Sequence, residues 1–226
     1  MNYKNIKPAK FISRPNRFIA NIEIDGKREI CHVKNTGRCK EFLIDGADIF
    51  VEEFDTNKRK TKYDLIAVYK GSKLINMDSQ VTNKVVFEWI SSGNLFKNIT
   101  YIKNEQKYKN SRFDLYVEAE GRKIYIEVKG ATLEENGIVM FPDAPTDRGV
   151  KHLKELAECL DDGFEAYVIF VIQMKDVKGF KPNDVTHKAF ADTLRQVKEK
   201  GVRILAYDCD VTETSIILNK EVPLLL

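Results

Sequence analysis

One short stretch of the chain groups residue types able to do phosphoester chemistry. In Ile124-Tyr125-Ile126-Glu127-Val128-Lys129, a strand period places Ile124, Ile126 and Val128 on one face and Tyr125, Glu127 and Lys129 on the other. A carboxylate and an ammonium then stand side by side. Asp114, among Phe113, Leu115 and Val117 of the preceding strand, is expected to project away from the apolar face and to meet both across a hairpin. Two carboxylates are the hard oxygen ligands that Mg²⁺ or Mn²⁺ takes while keeping several waters. A neighbouring ammonium can orient or deprotonate an attacking water and offset charge on a phosphate. Asp114, Glu127 and Lys129 are therefore candidate catalytic residues for phosphodiester hydrolysis, with Asp114 and Glu127 as metal ligands. The competing reading makes them ordinary polar residues on a solvated sheet face. Two contexts argue against it: Arg148 and His152 lie four apart on one helix face, and Glu88 adds a third carboxylate in the helix before the hairpin.

The elements that must hold these groups follow from periodicity. Residues 8–77 read as five or six short strands: Phe18 to Ile24 leads through Asp25-Gly26 into Arg28 to Val33, followed by Asp48 to Phe54, Tyr63 to Tyr69 and Lys73 to Met77. That spacing suits a small barrel of OB-like size. From Val81 onward, helices and strands alternate. Helices are expected over Asn83 to Ser92, Thr146 to Leu160 and His187 to Lys200, and strands over Phe113 to Glu118, Lys123 to Lys129, Ala166 to Met174 and Val202 to Tyr207. This order implies an α/β mixed sheet flanked by helices. The division is 1–80 for the barrel, taken as a nucleic-acid-binding domain, and 81–226 for the sheet.

Composition narrows the partners. The 226 residues carry a net charge of +3, but residues 1–80 hold 16 Lys/Arg against 11 Asp/Glu, and residues 1–40 hold ten against three. A basic segment of this kind fits a polyanion, although a merely solvated face reads the same way. No apolar run reaches the roughly 20 residues of a membrane helix, and MNYKNIKPAK does not read as a secretion signal, so a cytoplasmic protein with no membrane contact is expected. Cys31, Cys39, Cys159 and Cys209 show no CxxC spacing and read as reduced, mostly buried thiols. A zinc site from Cys31, His32 and Cys39 is disfavoured, because adjacent strand residues point to opposite faces. No helix-turn-helix or zinc-finger signature supports sequence-specific reading of the major groove.

Five segments, Arg14-Pro15-Asn16-Arg17-Phe18, His32-Val33-Lys34-Asn35-Thr36-Gly37-Arg38, Ser111-Arg112-Phe113-Asp114, Tyr125-Ile126-Glu127-Val128-Lys129 and Phe141-Pro142-Asp143-Ala144-Pro145-Thr146-Asp147-Arg148-Gly149, resemble the sugar fermentation stimulation protein (SfsA) family in order and spacing. One departure is Lys34, where the family usually has proline. The resemblance implies an N-terminal OB-fold domain, a PD-(D/E)XK nuclease-like C-terminal domain, DNA as partner and carboxylates able to hold a divalent metal. Carried over residue by residue, it gives Asp114, Glu127 and the Val128 carbonyl as metal ligands, Lys129 as the catalytic lysine and Glu88 as a further acidic candidate. Arg14, Arg17, His32, Asn35, Thr36, Gly37 and Arg38 become candidate nucleic-acid contacts, with a buried histidine stabilising the turn as the alternative for His32. Arg148 and His152 are candidates for ordering the acidic cluster or a phosphate. The expectation is a DNA-binding protein of little sequence preference with a candidate metal-dependent nuclease site. A non-catalytic DNA-binding regulator and a small phosphate-ester hydrolase stand as rivals. The oligomeric state is left open, a homodimer being one alternative.

Overall fold

A computed structural model describes residues 1–35, 37–55 and 59–226. Alternation sets the inside of the first strands. In β2 (Ile19–Ile24) and β3 (Lys27–Val33), Ala20, Ile22, Ile24, Cys31 and Val33 are buried while Glu23, Arg28 and Ile30 face outward. The two strands turn at Asp25 and Gly26, both with positive φ (52° and 71°), as a two-residue hairpin of primed type requires. With β1 (Ile6–Asn16), β4 (Asp48–Glu53), β5 (Tyr63–Lys70) and β6 (Lys73–Asn76), they form a sheet in the order β3-β2-β1-β4-β5-β6. Parallel pairing of Cys31 with Tyr63 and Val33 with Leu65 joins β3 to β5 and closes β1 to β5 into a barrel. Cys31 and Cys39 lie in its core while His32 is half-buried outside it. Among the described residues no cluster of metal-ligating side chains forms there.

After α1 (Thr82–Ser91) comes a second sheet in the order β15-β14-β12-β9-β8-β7. Its strands are β7 (Ile99–Tyr108), β8 (Ser111–Ala119), β9 (Arg122–Ala131), β12 (Glu165–Ile172), β14 (Arg203–Val211) and β15 (Ile216–Glu221). The centre, β9-β12-β14, is parallel, and β7, β8 and β15 are antiparallel flanks. A small sheet of β10 (Leu133–Glu135), β11 (Ile138–Phe141) and β13 (Gly179–Pro182) sits beside it. The central strands are apolar on both faces, because helices cover both. On one face, Leu153 and Leu156 of α2 (Asp147–Asp161) and Phe190 and Leu194 of α3 (Asp184–Lys200) pack with Val168, Phe170 and Ile172. On the other, Val85, Val86 and Ile90 of α1 pack with Ile126, Val128, Ile169 and Val171. The barrel joins both layers, with Val68 and Ile75 in the first cluster and Phe50, Ile66 and Ala67 in the second. The buried amide of Gln173 tightens the junction by donating to Asn76 O at 3.2 Å and Asp78 O at 3.0 Å. Among the described residues no helix is long and apolar enough to cross a membrane.

Candidate metal centre and nucleic-acid interface

Asp114 reaches the acidic cluster where β8 leaves its partner. The β8–β9 ladder ends at Leu115↔Ile126, and Phe113 packs in the cluster under α2 while Leu115 packs under α1. Strict alternation is thus broken at Asp114, a difference from the simple shared-face expectation. Beyond the ladder the carboxylate replaces a strand partner: Oδ2 accepts from Val128 N at 2.8 Å. Its Oδ1 accepts from Asn83 Nδ2 of α1, also at 2.8 Å. Glu127 projects from the middle of β9 toward α2 and is only 2% exposed. Its Oε1 takes a hydrogen bond from the Lys129 ammonium and lies 2.8 Å from His152 Nδ1. Arg148 Nε donates to His152 Nε2 at 3.4 Å, so that nitrogen accepts and the Nδ1 proton points at Glu127.

The electrostatics of the two acids diverge. Burial, then the Glu127 charge, hold Asp114 above the usual carboxylate range despite the Val128 N–H. Burial also pushes Glu127 up, but the His152 hydrogen bond and the Lys129 charge outweigh it and hold this acid below its usual range. One atom is left over. Glu127 Oε2 is buried and has no hydrogen-bond partner, a condition rare for a charged oxygen. A bare oxygen beside a second carboxylate is where a divalent cation satisfies both, so Asp114 and Glu127 fit such an ion. The cluster opens into a cleft of about 500 Å³ whose lining includes Lys129 and His152 within it and Arg112, Arg148 and Lys151, all exposed, at its rim.

Glu88 is not brought here. Its carboxylate bonds the amino terminus of Met1 at 2.8 Å, in a separate hollow with Val85, Trp89 and Asn94. The reason is helical phase. Asn83, Val86 and Ile90 share the face of α1 turned to the sheet, whereas Glu88 is five residues from Asn83, about 140° around the helix. Asn83 is the residue the sequence reading missed, and its spacing of three and seven from the apolar Val86 and Ile90 was the available signal.

The barrel residues fall into two groups. Arg14 is turned to its own backbone: its guanidinium donates to Arg17 O and Gly37 O at 2.8 Å and to Arg38 O at 3.1 Å, so it is a clamp rather than a free phosphate contact. Asn35 Oδ1 accepts from Gly37 N at 2.8 Å and closes the turn. A side chain at Gly37 would displace Asp143, since an added Cβ would sit 2.2 Å from Asp143 Oδ2, which also accepts from Arg38 N at 3.3 Å. Asp143 thereby docks the barrel loop onto the segment entering α2. His32 is half-buried and its Nδ1 lies 3.5 Å from the buried Asp64 of β5, so it faces that strand and not the turn. Arg17 and Arg38 are exposed. Thr36 lies outside the described residues.

The family model described as "Sugar fermentation stimulation protein RE domain" matches residues 80–215, and that described as "SfsA N-terminal OB domain" matches residues 12–77. A sugar fermentation stimulation protein homolog of Clostridium beijerinckii is 64% identical over 226 residues, covering 100% of each chain. One from Ruminiclostridium cellulolyticum is 62% identical over 222 residues, covering 98% of each. A solved structure of Pyrococcus furiosus SfsA in complex with Ca²⁺ superposes with a TM-score of 0.90 at 29% identity, covering 100% of this chain and 98% of that one. With two family models spanning the barrel and the sheet, and relatives matched along their whole length, the chain belongs to the sugar fermentation stimulation protein (SfsA) family.

Proposed function

We propose that this protein binds DNA with little sequence preference and hydrolyses its phosphodiester bonds at the Asp114–Glu127 pair, with Mg²⁺ or Mn²⁺ as cofactor. The observation that carries the reading is the buried, unpartnered Glu127 Oε2 beside a second carboxylate and an ammonium. The relative from Pyrococcus furiosus is in complex with Ca²⁺, another oxygen-seeking divalent cation, which supports a divalent site here. Asp114, Glu127 and the Val128 carbonyl would hold the ion, which when bound supplies Lewis acidity and lowers the pKa of a coordinated water. The protein's own groups do the rest. Lys129, tied to Glu127 by one N–H, puts a positive charge and its two remaining N–H donors next to the reacting phosphate. His152 fixes the Glu127 carboxylate, and Asn83 with Val128 N fixes Asp114, so neither acid must reorganise as charge develops. Arg112, Arg148 and Lys151 at the rim draw the polyanion to the cleft.

The test is incubation of the purified protein with Mg²⁺ or Mn²⁺ and single-stranded, duplex and branched DNA. Cleavage of at least one substrate is expected, with Asp114→Ala slower by about a hundredfold or more. Metal binding without cleavage of any substrate would mean that hydrolysis must be given up, while the divalent-metal site and DNA binding are retained.

A further inference from the structure

The barrel carries a second feature that the acidic cleft does not use. Phe18, at the β1–β2 turn, is 50% exposed, whereas the barrel's inward residues Ala20, Ile22 and Val33 are fully buried. A single exposed phenylalanine is ordinary on a protein surface. This one is held. Asn16 Oδ1 accepts from Phe18 N at 2.9 Å, Val33 N donates to Phe18 O at 2.8 Å, and the Arg14 guanidinium grips the preceding carbonyl, Arg17 O, at 2.8 Å. The Arg17 guanidinium lies 5.6 Å from the ring centroid. Because Arg14 also grips Gly37 O and Arg38 O, the turn is clamped to Gly37 and Arg38 by one guanidinium. Among the described residues, the Arg17 and Arg38 side chains have no ion-pair partner. By contrast Lys7 and Lys62 bridge to Glu53 and Lys10 bridges to Asp48.

We propose that the β1–β2 turn is a stacking platform for an unpaired base, Phe18 supplying the ring and Arg17 and Arg38 the phosphate contacts, which makes single-stranded DNA the form this barrel binds. A base within a duplex hides its π-face between its neighbours, whereas an unpaired base offers it to a lone ring. Because the backbone on either side of the ring is already fixed, stacking costs only side-chain rotation. Unneutralised arginines on either side meet the phosphates that flank such a base. Asn35, whose Oδ1 holds Gly37 N, lines a small hollow with Gly130, the chain neighbour of the cleft's Lys129. Only this link to cleavage rests on the hydrolytic reading above; the binding step is independent of it.

The test measures anisotropy of labelled oligothymidine of about 16 nucleotides, and of a duplex of equal length, with the full chain in a metal chelator. Phe18→Ala is expected to weaken oligothymidine binding about tenfold to a hundredfold while duplex binding changes less than about threefold. Phe18→Leu stays weak and Phe18→Trp restores affinity, its added indole fluorescence being quenched by oligothymidine. If Phe18→Ala binds oligothymidine within about threefold of wild type, or loses both forms alike, the platform is overturned. A Phe18→Trp protein that folds yet shows neither restored affinity nor quenching overturns it as well. Wild-type protein that binds oligothymidine but cuts no DNA with Mg²⁺ or Mn²⁺ defeats only the hydrolytic reading. Cleavage with unaltered binding in Phe18→Ala defeats only the platform.

Discussion

Two acid pairs, one wholly buried and one joining the buried Glu127 to the half-buried Asp114, are treated in opposite ways. At the barrel's edge, Asp64 is 1% exposed and Asp78 is 4% exposed, and each of their four oxygens has a partner. Lys34 Nζ lies 3.2 Å from Asp64 Oδ2 and 3.0 Å from Asp78 Oδ2, Asp64 Oδ1 meets Arg59 and His32, and Asp78 Oδ1 accepts from Gln80 N at 3.0 Å. At Asp114 and Glu127, three oxygens are held by Asn83, Val128 N, Lys129 and His152, and the fourth is bare. A closed cluster has nothing left to offer a ligand. An open one keeps a desolvated charge whose compensation must come from outside. The degree of closure, more than the number of acids, separates structural from functional carboxylates here.

The largest expected effect comes from opening the closed pair. Lys34→Ala leaves two buried carboxylates facing each other and should destabilise the fold by about 3–5 kcal/mol in urea unfolding. A loss under about 1 kcal/mol would mean the cluster is not closed by Lys34. The pH dependence sharpens this. Burial lowers the Lys34 pKa, but Asp78 and Asp64 outweigh it, so the folded value lies above the ordinary lysine value. The stabilisation is therefore complete below the unfolded lysine pKa of about 10.4 and is lost only as pH rises through the folded value. The gap between wild type and variant should stay flat across neutral pH.

Next in size is the open pair's response to cation. Mg²⁺ or Mn²⁺ at a hundredfold excess over Kd should stabilise wild type by about 2.7 kcal/mol, seen as a rise in Tm. Asp114→Ala and Glu127→Gln should lose most of that rise. Lys129→Ala should keep it or increase it, since a nearby positive charge has gone, while any cleavage is lost. Lys34→Ala, corrected for its lower starting stability, should keep the rise as well. A metal shift that survives in Asp114→Ala would erase the distinction between the pairs.

Much of this was legible in the sequence, and the gaps have causes. The hairpin at Asp25-Gly26, the amphipathic α2 and the doubly covered β12 each announce themselves through turn chemistry or periodicity, which local physics enforces. β7 does not. Its Ile99 to Tyr108 run, ITYIKNEQKY, is mostly polar because it is an edge strand with one neighbour and an exposed face, so no apolar alternation marks it. The route by which Asp114 meets Glu127 was hidden too, because it depends on where a ladder stops. Arg14 and Lys34 illustrate a third limit. A basic residue in a basic segment reads as a phosphate contact, yet Arg14 is spent on four carbonyls of its own chain and Lys34 on two buried acids. Charge counts do not reveal which cations are already occupied.

The smallest predicted effect tests that lesson on an acid. Glu88 was placed by analogy with a helix preceding a nuclease hairpin, but it faces the amino terminus at 2.8 Å and Lys84 at 3.9 Å, with its side chain 44% exposed. Surface pairs of this kind contribute about 0–1 kcal/mol, so Glu88→Ala should lower stability by no more than that. It should leave the metal-induced rise in Tm and any DNA cleavage unchanged. Asn83→Ala, on the helix face that does meet the sheet, removes a hydrogen bond to the Asp114 carboxylate worth about 1.5–3 kcal/mol and should also weaken the metal response. If instead Glu88→Ala abolished the metal response and Asn83→Ala left it intact, α1 would have to present its other face to the cleft. The packing of Val86 and Ile90 against the sheet would then be wrong, and with it the assignment of the open pair.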